Sequence, residues 1–247
     1  MRILLWDIET APTQAFIWKL WKENIGVNQI IEPGRVLCWS AGWLGEDTVE
    51  YNAVWLNGER DMVEHLHELL EQADAHVTYN GNHFDVPTMN AAFLKYKLPP
   101  PAPSKSIDLY QVVKKRFRFL SNRLDYVAKY LGLEGKLDTG GFQLWADVVN
   151  GVPEAQEKML DYNIQDVVLL EEVYQALFPW IPNLPQAGHF HAGGHVCPAC
   201  GSDNVQRRGY HRTKVYSYQR FQCMDCGSWS RDRKRDPGAP ENGLVAT

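Results

Sequence analysis

The period of the apolar positions changes several times along this chain, and each change marks an element. Ile3-Leu4-Leu5-Trp6 is an unbroken apolar run that reaches acids at Asp7 and Glu9, as a buried strand does where it surfaces. Strands are predicted over residues 2–8, 35–43 and 48–56, the last two joined as a hairpin by Leu44-Gly45-Glu46-Asp47. Over 60–73 the period becomes helical, with Met62, Leu66, Leu69 and Leu70 on one face. A short apolar strand at 75–79 and a helix at 84–95 follow. Pro99-Pro100-Pro101-Ala102-Pro103 then breaks the chain ahead of a strand at 106–108. Helical patterns occupy 110–116, 122–131, 142–149 and 153–177. Meandering strands that give way to alternating strands and helices indicate a mixed α/β sheet flanked by helices. The connection 11–34 is long; its Phe16, Trp18 and Trp21 fit the core face of a helix or, alternatively, rings that stack on bases.

A boundary follows the last long helix. Phe178-Pro179-Trp180-Ile181-Pro182-Asn183-Leu184-Pro185 is rich in helix breakers. It separates a domain over 1–180 from a linker at 181–194, a small module at 195–236 and a tail at 237–247 expected to be disordered. Charge divides at the same place. The 247 residues carry 25 Lys/Arg and 30 Asp/Glu. Residues 188–247 hold nine cations and five acids, or +4, which leaves sixteen and twenty-five, or −9, for residues 1–187. A basic module on an acidic body points to an anionic polymer. No apolar run is long enough to span a bilayer, and Asp7 interrupts any leader-like stretch, so a cytoplasmic protein without a membrane partner is expected.

The small module carries Cys197-Pro198-Ala199-Cys200-Gly201 and Cys223-Met224-Asp225-Cys226-Gly227. Two CxxC turns are the spacing of a four-thiolate site for one structural Zn2+; two disulfides are the alternative, disfavoured in a reducing compartment. The module resembles a zinc ribbon, with strands at 205–210 and 215–222. Its Arg207, Arg208, Arg212, Lys214 and Arg220 alternate with Tyr210, Tyr216, Tyr218 and Phe221. That mixture suits single-stranded nucleic acid, whose phosphates meet cations and whose bases meet rings. The other reading is a docking face for a polymerase or replisome protein.

The chemistry of the larger domain lies in four acids. Asp7 and Glu9 are two apart on a strand, so they share a face and can share a cation. Asp85 closes Asn80-Gly81-Asn82-His83-Phe84-Asp85 directly after a strand. Asp166 follows Tyr162 by one helical turn, on the same face. Acids so gathered repel one another unless divalent cations compensate them. In this order, D-x-E-T, N-x-x-x-F-D and Y-x-x-x-D resemble the three motifs of the DnaQ-like 3′–5′ exonucleases of the DEDD superfamily, tyrosine-type branch. The resemblance spans roughly residues 1–180.

That resemblance implies a ribonuclease H-like fold and hydrolysis of phosphodiesters from a 3′ end with two Mg2+ or Mn2+. Asp7, Glu9, Asp85 and Asp166 would be the metal ligands, Asp7 lying between the ions, and Tyr162 would take the place of the catalytic tyrosine. Thr10 and Asn80 correspond to positions that meet the terminal nucleotide. Phe84 frames the second motif; it is counted with Thr10 and Asn80 among the substrate-binding residues and is expected to pack under the site. DNA, single-stranded or frayed, is the expected substrate, because this branch includes proofreading domains. A 3′–5′ exoribonuclease and a catalytically silent nucleic-acid-binding protein are the alternatives. Asp108 is expected to cap the following helix, Asp161 to be a solvated helix acid, and Cys38 to be a buried thiol. His65 and His67 are expected at the surface; His189, His191 and His195 are expected to be incidental linker residues.

Overall fold

The computed structural model describes residues 1–134, 140–182, 184 and 195–238. The chain divides into two compact units, Arg2–Gln175 and Ala176–Thr247, with Met1 grouped with the second. The expected linker at 181–194 and tail at 237–247 fall largely outside the described residues.

In the larger unit, β1 (Ile3–Thr10) is followed by an arm of two short strands, β2 (Gln14–Ala15) and β3 (Ile30–Glu32). Then come β4 (Val36–Trp43), β5 (Val49–Ala53), α1 (Val54–Glu71), β6 (Ala75–Thr78), α2 (Asp85–Lys95), β7 (Lys105–Asp108), α3 (Leu109–Arg116), α4 (Leu124–Tyr130), α5 (Gln143–Val149) and α6 (Pro153–Leu177). The sheet order is β5-β4-β1-β6-β7. The β1–β4 and β4–β5 pairs are antiparallel, and β1–β6 and β6–β7 are parallel. This is a ribonuclease H-like mixed sheet flanked by helices, as the polarity pattern and the motifs imply.

β1 is central, so its apolar letters run without alternation. One core layer joins Leu4, Trp6 and Ile8 to Trp39, Met62, Leu66 and Phe93. The other joins Leu37, Cys38 and Ala53 to Leu144, Val148 and Met159. Burial of these side chains at about 25 cal/mol per Å² is the main term that holds the sheet between its helices. Trp39 satisfies its indole N–H on the Met62 carbonyl at 2.7 Å, so its burial leaves no polar atom stranded.

The structure corrects three expectations. The strand predicted over 48–56 stops at Ala53, and the helix predicted over 60–73 begins earlier, at Val54, with a break at Gly58 (φ 83°, ψ 161°). Val54-Trp55-Leu56 is too short an apolar run for its letters to choose between strand and helix. The two histidines of α1 are not plain surface groups. His67 is buried, with Nε2 2.9 Å from the Pro99 carbonyl, and His65 packs edge-on against Trp39. The connection after β1 is not a helix either. Phe16, Trp18 and Trp21 stand exposed, Trp18 at 93%, on the tip of the β2–β3 arm. Glu23 holds that tip by accepting from the Trp18 and Lys19 backbone N–H groups.

In the smaller unit, β8 (Val205–Arg212), β9 (Ser217–Cys223) and β10 (Trp229–Arg231) form an antiparallel sheet in the order β10-β9-β8. The third strand has no counterpart in the polarity pattern; three residues are below the length at which a pattern can be read. Among the described residues, no helix is long and apolar enough to cross a membrane.

Candidate active site

The acids sit where the parallel strands end. β1 pairs with β6 only as far as Leu5, so the remainder of β1 has no ladder partner on that side. Asp85, at the start of α2, fills the gap: its Oδ1 accepts the Ile8 N–H at 3.3 Å. The turn ahead of it is tightly built. Asn80 takes a left-handed conformation (φ 69°), which asparagine tolerates better than most residues. A Cβ at Gly81 would lie 2.3 Å from the Thr78 hydroxyl oxygen, so only glycine fits there. Asp108 holds this turn from the neighbouring strand, accepting the Asn80 N–H at 2.9 Å and capping α3 through Tyr110 at 3.0 Å. The capping expected of Asp108 is therefore half of its work.

Asp7, Glu9 and Asp166 converge. Each offers a carboxylate oxygen, and these atoms lie within 4.8 Å of one another. That separation is about the width of one coordination shell of oxygen ligands around a hard cation, so this donor set fits a divalent metal. Asp166 is only 3% exposed, whereas Asp7 and Glu9 are half-buried and reach the surface. Asp85 stands outside this group of three, attached to it through the backbone between Asp7 and Glu9.

Two side chains that the motif letters do not name hold two of the acids. Asn163, wholly buried, donates from Nδ2 to Asp7 Oδ2 at 2.9 Å, and Trp145 donates its indole N–H to Glu9 Oε2 at 3.2 Å. Both donors are neutral, so neither offsets the accumulated charge. Its effect is visible on the neighbouring strand at Cys38, opposite Glu9: burial first, then the Glu9 and Asp7 charges, push its thiol well above the usual range. Cys38 is the buried thiol that its strand predicts. Asn163 follows Tyr162 inside the third motif; Trp145 has no local signal at all.

Tyr162 is half-buried and meets Trp145 edge-on, ring centroids 6.4 Å apart, which places it beside the Glu9 partner. Asp161 is exposed, as a solvated helix acid is. Thr10 ends β1 where the register with β4 slips. Phe84 does not pack under the site. It is 44% exposed, because the turn before α2 buries Asp85 and turns the ring outward.

In the smaller unit the four cysteines gather. Sγ–Sγ distances of 3.6 Å (Cys197–Cys226) and 3.7 Å (Cys200–Cys223) are far beyond a disulfide bond of about 2.05 Å. They match the edge of a tetrahedron with metal–sulfur bonds of about 2.3 Å, which is roughly 3.8 Å. Arg207, Arg208, Arg212, Lys214 and Arg220 are all exposed. Arg220 lies over the Trp229 ring at 4.7 Å and Arg231 over Tyr218 at 4.0 Å. His195 stacks on Phe221 at 5.0 Å, so it is a packed residue of this unit; His189 and His191 lie outside the described residues.

A family model for the RNase H superfamily matches residues 32–178. The chain belongs to the RNase H superfamily. The match takes in Asp85, Tyr162 and Asp166, while Asp7 and Glu9 precede it and join the RNase H-like sheet through the pairing of β1 with β4 and β6. No curated protein sequence matches the chain. Among solved structures, the family B DNA polymerase from the hyperthermophilic archaeon Pyrobaculum calidifontis is similar, with a TM-score of 0.55 and 19% identity over 72% of this chain. The chain spans 24% of that polymerase. At this identity the likeness is one of fold.

Proposed function

We propose that the protein is a metal-dependent 3′–5′ exonuclease of the tyrosine-type DnaQ-like group. It removes 5′-mononucleotides from the 3′ end of single-stranded or frayed DNA. The observation that carries this reading is the meeting of Asp7, Glu9 and Asp166 oxygens within 4.8 Å at the end of the central strand. In this reading Asp7, Glu9, Asp85 and Asp166 hold two Mg2+ or Mn2+, which when bound polarise the scissile phosphate and ease deprotonation of water. The Asn163 N–H donates to Asp7 Oδ2 and so fixes the orientation of that carboxylate. Trp145 steadies Glu9 in the same way. The Tyr162 hydroxyl orients the attacking water, and Thr10 and Asn80 meet the terminal nucleotide. The small unit holds one structural Zn2+ and binds the strand through its exposed cations.

The test is incubation of end-labelled single-stranded DNA, duplex DNA and RNA with magnesium or manganese, using the wild type, Asp7→Ala and Asp166→Ala. The wild type should release mononucleotides from the 3′ end of DNA. Both variants should lose hydrolysis yet still bind single-stranded DNA, since a lost ligand dismantles the metal site and leaves the binding surface. Near-normal hydrolysis by Asp7→Ala would sink the assignment, and digestion of RNA alone would make the protein an exoribonuclease.

A further inference from the structure

One stretch of the acidic unit is strongly basic. Residues 114–123, Lys-Lys-Arg-Phe-Arg-Phe-Leu-Ser-Asn-Arg, contain five cations and no acid. The rest of residues 1–187 holds eleven cations against twenty-five acids. Lys114, Lys115, Arg116, Arg118 and Arg123 are all exposed, and among the described residues no carboxylate lies within ion-pair distance of Arg116, Arg118 or Arg123. A solvated helix face would mix signs along the helix; this stretch runs past the end of α3 and carries one sign only.

The local structure presents these cations in a fixed way. Phe117 is extended (φ −128°, ψ 163°), so successive side chains point to opposite sides. Phe117 and Phe119 stack on each other at 5.3 Å, and Phe119 meets Tyr130 at 4.8 Å. The rings thus pack on one another and on α4, and Arg116 and Arg118, on either side of Phe117, are left exposed. The far end returns to the acids. Tyr79, directly before Asn80 of the second motif, donates its hydroxyl to the Asn122 carbonyl at 2.6 Å. The run of cations therefore ends with Arg123 beside the residue that follows β6, one position before the second motif.

We propose that residues 114–123 are a phosphate track on the nuclease unit itself, with Arg116, Arg118 and Arg123 gripping the backbone of a single strand whose 3′ end lies at the acids. The identity of the strand rests on the exonuclease reading above. Charge complementarity selects the occupant: a flexible polyanion can follow a line of arginines, and the phosphates are what the acidic site must be brought against. The guanidiniums offset, along the approach, the repulsion that the −9 body would otherwise present to it.

The experiment compares the full chain with Arg116→Ala/Arg118→Ala/Arg123→Ala. Binding of single-stranded DNA is measured across a salt series in an Asp7→Asn background. Each lost phosphate contact on a single strand removes about 0.7 from the log–log slope, so the triple variant should be shallower by about 2. With Asp7 intact, KM for an oligonucleotide should rise tenfold or more, while turnover of the p-nitrophenyl ester of thymidine 5′-monophosphate stays unchanged. The corresponding triple lysine variant should keep most of the slope, because point charges suffice for phosphates. An unchanged slope in the triple alanine variant overturns the track and leaves the patch to an acidic protein partner. If that variant does not fold, Arg118→Ala alone must lower the slope by about 0.7, and no change there overturns it equally. Wild-type protein that binds with the predicted slopes yet hydrolyses neither substrate would retire the exonuclease reading and uphold the track.

Discussion

Asn163 and Tyr162 are adjacent on α6 and do different work. The amide of Asn163 restrains a carboxylate, and the ring of Tyr162 lies beside Trp145, the partner of Glu9. Asn163→Ala should lower turnover about 10- to 100-fold and weaken the apparent magnesium affinity, the range for removing a group that orients a metal ligand. Tyr162→Phe should lower turnover by about ten- to a thousandfold with the magnesium dependence unchanged, because only a positioning or proton-transfer group is lost. Steady-state rates across a magnesium series separate the two. Equal metal curves for Asn163→Ala and wild type would remove it from the support of Asp7. The acids themselves were legible in the sequence because their spacing is local: two apart on a strand, four apart from the tyrosine on a helix. Their donors were not. Trp145 reaches Glu9 across 136 residues of chain, and no periodicity reports such a meeting.

Among the elements, the turn between β6 and α2 has the least freedom. Gly81 sits against Thr78, and Asn80 is left-handed, so the position of Asp85 depends on backbone that few sequences can adopt. Gly81→Ala should destabilise the larger unit by about 1–3 kcal/mol, the usual consequence of overpacking, and should lower activity more than stability. Denaturant unfolding paired with turnover would check this, and an unaffected rate in a destabilised protein would detach the turn from the chemistry. Most helices and strands were readable from period alone, α6 to the residue. What could not be read is informative. The start of α1 was hidden because a glycine with positive φ lets a helix begin in an apolar run that resembles a strand. The β2–β3 arm was hidden because its rings, spaced as if for a core, are held outward by Glu23 through backbone hydrogen bonds.

At the scale of the whole molecule, acid should destabilise the protein through a histidine outside the candidate site. His76, on β6, is buried against Trp6, and burial lowers its pKa from 6.5 to about 4. The folded state therefore prefers the neutral ring. Above the unfolded value of about 6.5 that preference has no effect; as pH falls from there toward 4, the unfolded chain takes up a proton that the native one refuses. Stability should drop by about 2 kcal/mol between pH 7 and pH 5 from this group alone. His76→Gln should flatten that part of the pH profile, read by urea unfolding at the two pH values; an equally steep loss in the variant would move the cause elsewhere. The division of the sequence into an acidic body and a basic four-cysteine module was apparent from composition, since charge and cysteine spacing need no tertiary structure to be counted.

The hydrogen bond from the Trp145 indole to Glu9 also makes the site visible to light. An indole whose N–H points at a carboxylate senses that group's charge in its excited state, so its emission should shift when a cation draws on the same carboxylate. Trp145 donates its indole N–H to a site acid, whereas the buried indoles of Trp6 and Trp39 belong to the opposite core layer. Titration of magnesium or manganese, with no nucleic acid present, should therefore change the fluorescence saturably, and Trp145→Phe should abolish the change. A titration as large in Trp145→Phe as in the wild type would assign the signal to another ring. The protein would then carry, inside its own fold, a dye-free gauge of whether the acids are filled, readable before any strand is cut.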